Sequence, residues 1–148
     1  MTEKDMDLSG WWHTNWGMSE DEMKVALRDA NLKKVDREDY GETYVDFTIE
    51  DVNIGGFKFI VSFQMGKKSN RLQRVSMKHD LPLGVSQKAQ LKAVYDALVK
   101  DFGAGEPQDR PDRFKWSFPT TTIELHPLNL PNSLNFVCVI FSRAGNAT

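Results

Sequence analysis

Three of the four tryptophans of this 148-residue chain fall within six positions, in the stretch GWWHTNWGMSEDE at residues 10–22. Trp11, Trp12 and Trp16 carry large apolar rings, and His13 adds a titratable ring beside them. Clustered aromatic rings suit contact with another protein or stacking on a ring-bearing ligand. We therefore take Trp11, Trp12 and His13 as the candidate binding residues.

Trp16 also has a structural explanation. An apolar residue just before a helix N-cap often packs back on the first turns of the helix, and Trp16 precedes the candidate N-cap Ser19. The matching stretch before Ser86 holds only aliphatic packing residues, so we expect Trp16 in the core. Two adjacent rings on an extended segment point to opposite sides. We therefore expect Trp11 or Trp12 to stay at least partly exposed.

The side chains that could perform catalysis or bind a metal form no recognised pattern. His13, His79 and His126 make no H-x-x-x-H or HExxH spacing, and no cysteine lies near them at zinc spacing. Cys138 lies among apolar residues of a strand, which is typical of a buried apolar role. The carboxylates are scattered, and there is no G-x-S-x-G. We expect no enzyme activity, no metal and no cofactor.

Two further motifs favour structure over ligand binding. Gly103-Ala104-Gly105 follows a helical pattern, whereas a phosphate loop follows a strand and opens a helix, so it predicts a helix end and a turn. The one basic cluster lies on a turn and on solvent-facing strand positions: Lys67, Lys68, Arg71, Arg74 and Lys78. It lacks interleaved aromatics, and the chain has a formal net charge of −2. We expect no nucleic-acid partner.

Composition places the chain among ordinary globular proteins, with 40% hydrophobic and 27% charged residues. The single cysteine excludes an intramolecular disulfide. The opening MTEKDMDLSG lacks the apolar region of a signal peptide, and no run approaches the roughly 18–20 apolar residues of a membrane helix. We expect a cytoplasmic protein without membrane insertion, or a periplasmic one if a signal peptide has been removed.

Two helices are predicted. Ser19 and Glu22 form a capping box, and apolar residues at helical spacing follow over about three turns: Met23, Ala26, Leu27 and Ala30. Ser86 is the N-cap of the second helix, and Gly103 ends it. Its apolar stripe is Leu91, Val94, Tyr95, Leu98, Val99 and Phe102, which we expect to be buried against the strand residues Phe59, Val61 and Phe63 or their second-half counterparts.

Alternating apolar residues predict six strands, which lie at 45–49, 57–65, 72–77, 114–118, 121–125 and 134–141. Gly55-Gly56 separates the first two strands. The third needs a bulge near Gln73 to keep one face buried, because its apolar residues are three positions apart there. Residues 134–141 are apolar at both parities, as in an interior strand.

The predicted order is αβββ followed by αβββ, in one domain covering residues 1–148. GMSEDEMKVAL at 17–27 and GVSQKAQLKAV at 84–94 occupy the same place in each half, so pseudo-repeats are expected at about 17–79 and 84–141. The predicted fold class is therefore α+β, with two tandem αβββ units and helices packed on one face of an antiparallel sheet.

Certain motifs support a family resemblance. Gly17-Met18-Ser19-Glu20-Asp21-Glu22 and Gly84-Val85-Ser86 open short helices, and the second helix ends in FGAGEP at 102–107. In these features the chain resembles the small lipoproteins of the outer-membrane assembly machinery, of the SmpA/OmlA type. Its tandem order is similar to the β-lactamase-inhibitor-protein-like fold. The resemblance implies a non-catalytic protein that works by binding another protein.

The sequence thus predicts a non-enzymatic protein-binding or assembly module whose partner is another protein or a second copy of itself. A small-ligand-binding or enzyme-like domain is one alternative. The other is a secretion-chaperone-like protein of order αβββαββα, against which the lack of a final helix counts. A deep polar-lined pocket would favour the small-ligand alternative, and an exposed apolar patch would favour protein binding.

Overall fold

The computed structural model describes residues 10–78, 86–110, 112–129 and 135–144, so His79 and the aliphatic stretch at 81–85 lie outside the described residues. Two helices and eight strands are assigned there. In chain order they are α1 (Glu20–Ala26), β1 (Lys33–Asp39), β2 (Thr43–Ile54), β3 (Phe57–Gly66), β4 (Leu72–Lys78), α2 (Gln87–Phe102), β5 (Glu106–Pro107), β6 (Phe114–Ser117), β7 (Thr121–Asn129) and β8 (Asn135–Arg143).

The eight strands form one antiparallel sheet in the order β1-β2-β3-β4-β8-β7-β6-β5. The predicted fold class, α+β with two tandem αβββ units, is therefore wrong. The fold is mostly β, and four strands follow each helix. The stretches expected as pseudo-repeats, at about 17–79 and 84–141, share this one sheet, because β4 pairs with β8 from Arg74 opposite Ser142 to Lys78 opposite Cys138.

The sequence did not predict β1 and β5, because apolar and polar residues do not alternate regularly in either strand. β1 has the sequence KKVDRED, and only Val35 of its seven residues is not exposed. It pairs with β2 through an irregular register between Lys34 and Glu38. β5 has two residues, one of them proline. Strands of this kind suit the edges of a sheet, where charge and proline hinder pairing with another chain.

Local capping follows the sequence closely. Ser19 and Glu22 form the predicted capping box, and the Ser86 side chain accepts a hydrogen bond from the backbone N–H of Ala89. α2 ends at Phe102, and Gly103 adopts φ 84°. α1 is only seven residues long, shorter than the predicted three turns, because the chain turns after Leu27.

Both helices cover one face of the sheet. Met23 of α1 and its C-cap Leu27 join Val94 and Leu98 of α2 in one buried cluster. The cluster also contains inward side chains of β3, β4, β7 and β8: Phe59, Val61, Phe63, Met65, Val75, Met77, Ile123, Leu125, Val139 and Phe141. Leu91 and Phe102 are only partly buried against this core. We call the opposite side of the sheet the open face.

The predicted bulge in the third strand is confirmed. Gln64 lies opposite Arg74, but Met65 lies opposite Leu72, so Gln73 is the extra residue of β4. The bulge keeps Leu72 and Val75 on the helix face, where both are buried. β8 lies between β4 and β7, which confirms the interior position predicted for residues 134–141.

Candidate functional site

The candidate site begins with a tight turn. The Thr14 hydroxyl donates to the Trp11 carbonyl over 2.6 Å and accepts the Trp11 N–H over 3.0 Å. A side chain at Gly10 would place its Cβ 2.1 Å from the Thr14 carbonyl oxygen, so glycine is required there. The segment is thus a turn and not the extended stretch that we expected.

The turn gives the two neighbouring rings different exposure, although their centroids lie only 5.7 Å apart. Trp11 is partly buried, and its ring centroid lies 5.9 Å from that of Phe63 in the core. Trp12 is 58% exposed, which fits the expectation that one of the two rings faces solvent. The physical reason differs, since Trp12 points outward because its backbone is left-handed, with φ 55°.

Trp16, which precedes α1, connects the start of this helix to β7, a strand distant in sequence. It is partly buried and packs against the core, and its indole N–H donates to the Thr121 hydroxyl of β7 over 2.9 Å. Thr121 is itself fully buried. Trp16 therefore packs against the core, as its position before the helix N-cap predicted.

Trp12 and His13 form an exposed aromatic pair. Their ring centroids are 4.4 Å apart, and both side chains are exposed. With Val25, which is 63% exposed, they border an open hollow of about 540 Å³ beside α1. The three predicted site residues, Trp11, Trp12 and His13, thus lie on one turn. Trp12 lines both this hollow and a second one.

That second hollow lies between the end of α2, at Phe102, and the turns that precede and follow α1, at residues 10–12 and at Ala30. It measures about 530 Å³ and adjoins a smaller hollow of about 230 Å³ beside α2. The two hollows share the four apolar side chains Trp11, Val52, Phe102 and Phe141. We call this continuous channel the interhelix groove. The sheet forms its floor, and Trp12 stands at its rim.

Carboxylates surround the interhelix groove. Glu50 and Asp51 of β2 line the larger hollow, and Asp101 of α2 lines the smaller one. Glu50 is paired with Lys33 over 2.8 Å. Sequence reasoning did not single out these three residues, because β2 and α2, which carry them, lie far apart along the chain.

The open face carries a polar hollow of about 820 Å³. Gln64 lies at its edge, where its amide accepts from the Thr43 hydroxyl over 3.0 Å and donates to the Ser76 hydroxyl over 3.1 Å. Arg74 and Arg143 line it together with Glu42 and Glu124. Because its charges are mixed, the hollow indicates no particular ligand.

A charged cluster at the first turn of α1 was also missed. Asp46 is buried and accepts two hydrogen bonds from the Arg37 guanidinium, over 2.9 and 2.8 Å. These bonds hold the pKa of Asp46 below its usual range despite burial. Burial, and then contact with Asp46, raises the pKa of Glu20. The sequence did not predict this cluster, because its arginine lies on β1, a strand that was not predicted.

The other sequence candidates lie apart from the groove. Burial raises the pKa of the Cys138 thiol to about 11, which leaves it a poor nucleophile. The basic cluster is divided, since Lys67 pairs with Asp39 and Arg71 with Glu22. The Gly103 carbonyl accepts the Trp116 indole N–H over 2.8 Å, so this loop serves packing.

Comparison with protein-family models, with curated proteins and with solved structures found no match. Within the described ranges, no group of three or more histidine, cysteine or carboxylate side chains is arranged to hold a metal ion. Neither helix in the described part of the chain is long and apolar enough to cross a membrane.

Proposed function

We propose that this chain is a non-enzymatic protein-binding module whose contact surface is centred on Trp12, beside Trp11 and His13. Protein–protein interfaces favour tryptophan because one ring removes a large apolar area from water and often dominates the binding energy. Trp12 has the required exposure, and it stands between two apolar hollows.

The observation that carries the proposal is the backbone of Trp12. Four non-glycine residues in the described part of the chain have left-handed φ values. Asn31, Asp51 and Asn70 are of the types that tolerate this conformation, whereas Trp12 is not. Trp12 thus combines backbone strain with exposure of a large apolar ring, and neither feature stabilises the fold. Strain of this kind concentrates at functional sites.

The test exchanges Trp12 for a residue that suits the turn. Trp12→Asn should leave stability unchanged or raise it by up to about 1 kcal/mol, because asparagine tolerates a left-handed backbone. It should also weaken capture of the partner from an extract of the native host by roughly tenfold, as expected for a central tryptophan. Thermal unfolding and quantitative mass spectrometry of the captured proteins measure the two effects.

Two controls frame this experiment. Ile60→Asn removes an exposed apolar residue on the open face and should leave capture unchanged. Trp16→Ala should lower the melting temperature sharply, because it removes core packing and the bond to Thr121. Equal capture by the wild type and Trp12→Asn would contradict the proposal.

A further inference from the structure

We infer that the interhelix groove takes an apolar segment of a partner protein that is flanked by lysine or arginine residues. This inference rests on the proposed function and names the chemistry of the partner. Two observations carry it, namely the apolar floor of the groove and the carboxylates around it.

The groove floor offers apolar surface to a partner. Trp11, Val52, Phe102 and Phe141 line both hollows, and Val52 and Phe102 are only partly buried against the core. The larger hollow, at about 530 Å³, lies in the size range of sites that accept ligand groups. A row of apolar partner side chains can fill such a groove in the way that helical or extended peptides fill hydrophobic grooves.

The carboxylate at Asp101 is poorly placed for the stability of α2. It lies in the last turn of the helix, where the helix dipole disfavours negative charge. It makes no salt bridge with any residue that the structure describes. A cation on the bound segment would give this carboxylate a favourable partner.

Asp51 extends the negative charge to the β2 side of the groove, where an ion pair offsets the charge of Glu50. Both line the larger hollow, and Lys33 reaches Glu50 over 2.8 Å. Charges at the rim of an interface steer a partner of opposite sign and set its orientation. The arrangement therefore favours basic residues on both sides of the apolar segment.

The same charges disfavour other occupants. Residues 1–9 precede Gly10 at the groove, but Glu3, Asp5 and Asp7 outnumber Lys4 in that segment. Fatty acids and anionic lipids would bring a negative group to an acidic rim. A second copy of this chain carries the same net charge of −2. A basic partner segment meets none of these like-charge contacts.

The experiment selects peptides from a random display library on the wild-type protein and measures their affinity by fluorescence anisotropy. We expect the selected peptides to share an apolar core with lysine or arginine on both sides. Their affinity should fall about two- to fivefold for Asp51→Asn and for Asp101→Lys, as for the loss of a rim ion pair. It should also fall with added salt.

Both variants are chosen to preserve the fold. Asparagine tolerates the φ of 61° at position 51, and lysine suits the C-terminal turn of α2. Asp96→Asn is the matched control, because Asp96 lies on α2 away from the groove and pairs with Lys92. It should leave peptide affinity unchanged.

The outcomes separate the two proposals. Acidic or uncharged flanks, with binding that still needs Trp12, would overturn the basic-segment inference and leave the protein-binding function in place. Peptides that bind Trp12→Asn as tightly as the wild type would overturn both. A dimer in sedimentation whose dissociation constant changes in Asp101→Lys, with no competition from selected peptides, would assign the groove to a second copy and overturn the inference.

Discussion

Asp46 is the one buried charged residue within the described ranges, and two cationic side chains compensate its burial. Arg37 binds both carboxylate oxygens, and the Lys34 ammonium lies 3.8 Å away. The Arg37 guanidinium also lies 3.9 Å from the centre of the Tyr44 ring. The pKa of Asp46 is lowered, so its contribution to stability is present above its unfolded pKa and lost as the pH falls through the folded value.

Glu20 behaves in the opposite sense. Its Oε2 atom is buried without a hydrogen-bond partner, and the carboxyl group of Asp46 lies close to the Glu20 side chain. Two carboxyl groups can share a hydrogen bond only when one of them carries a proton. Burial, and then Asp46, raises its pKa above 4.5. A group whose pKa is raised on folding stabilises the fold below its unfolded pKa, and this stabilisation is lost as the pH rises through the folded value.

We predict that Glu20→Gln raises the free energy of unfolding more at pH 7 than at pH 4. A glutamine amide donates to Asp46 at every pH, whereas Glu20 loses its proton as the pH rises through its folded pKa. The measurement is the difference in unfolding free energy between wild type and variant as a function of pH. A difference that stays constant between pH 4 and 7 would show that folding does not raise the pKa of Glu20.

At the scale of elements, the β2–β3 hairpin determines how closely α2 can approach the sheet. Gly55 and Gly56 adopt φ values of 63° and 89°, and Ile54 lies opposite Phe57 on either side of them. A two-residue turn of this kind requires left-handed backbone at both positions. A Cβ on Gly55 would lie 2.6 Å from the Ala93 carbonyl oxygen of α2.

We predict that Gly55→Ala destabilises the protein by about 2–4 kcal/mol, because it strains the turn and displaces α2. Gly56→Ala is the matched control. Its φ is also positive, but nothing lies within 4 Å of its Cβ, so it should cost only about 1 kcal/mol. Chemical denaturation measures both values. Equal effects would mean that α2 does not press on the hairpin.

At the scale of the whole molecule, the β4–β8 pairing joins the first four strands and the last four strands into one sheet. Met77 of β4 lies opposite Val139 of β8, which in turn lies opposite Leu125 of β7. All three are fully buried. The segment before α1 also bonds to β4, because the Gly17 N–H donates to the Leu72 carbonyl over 2.9 Å. These contacts leave no boundary at which one half could unfold alone.

We therefore predict a single cooperative unfolding transition, in keeping with one domain over residues 1–148. Near-ultraviolet circular dichroism, which reports tryptophan packing, and far-ultraviolet circular dichroism should give coincident curves. Val139→Ala, at the centre of the sheet, should lower both midpoints together, at a cost of about 1–3 kcal/mol. Two separated transitions, or a variant that moves only one curve, would contradict a single cooperative domain.

The sequence by itself determined the features that depend on neighbouring residues. The capping box at Ser19, the N-cap at Ser86, the alternation of β3 and the bulge at Gln73 follow from hydrogen bonds and side-chain periodicity within a few positions. Exposure of one of the two neighbouring tryptophans was predicted for the wrong reason, since a left-handed turn, and not an extended segment, directs Trp12 outward.

Only the tertiary structure decided the single sheet, the interhelix groove and the charged cluster around Asp46. A strand's backbone groups bond equally well to any partner, so local sequence does not reveal that β4 pairs with β8. β1 was hidden because charged side chains outnumber apolar ones at a sheet edge, yet it supplies the arginine that holds Asp46. The groove brings Trp11, Val52 and Phe102 together from distant parts of the chain, because two helices share one apolar face.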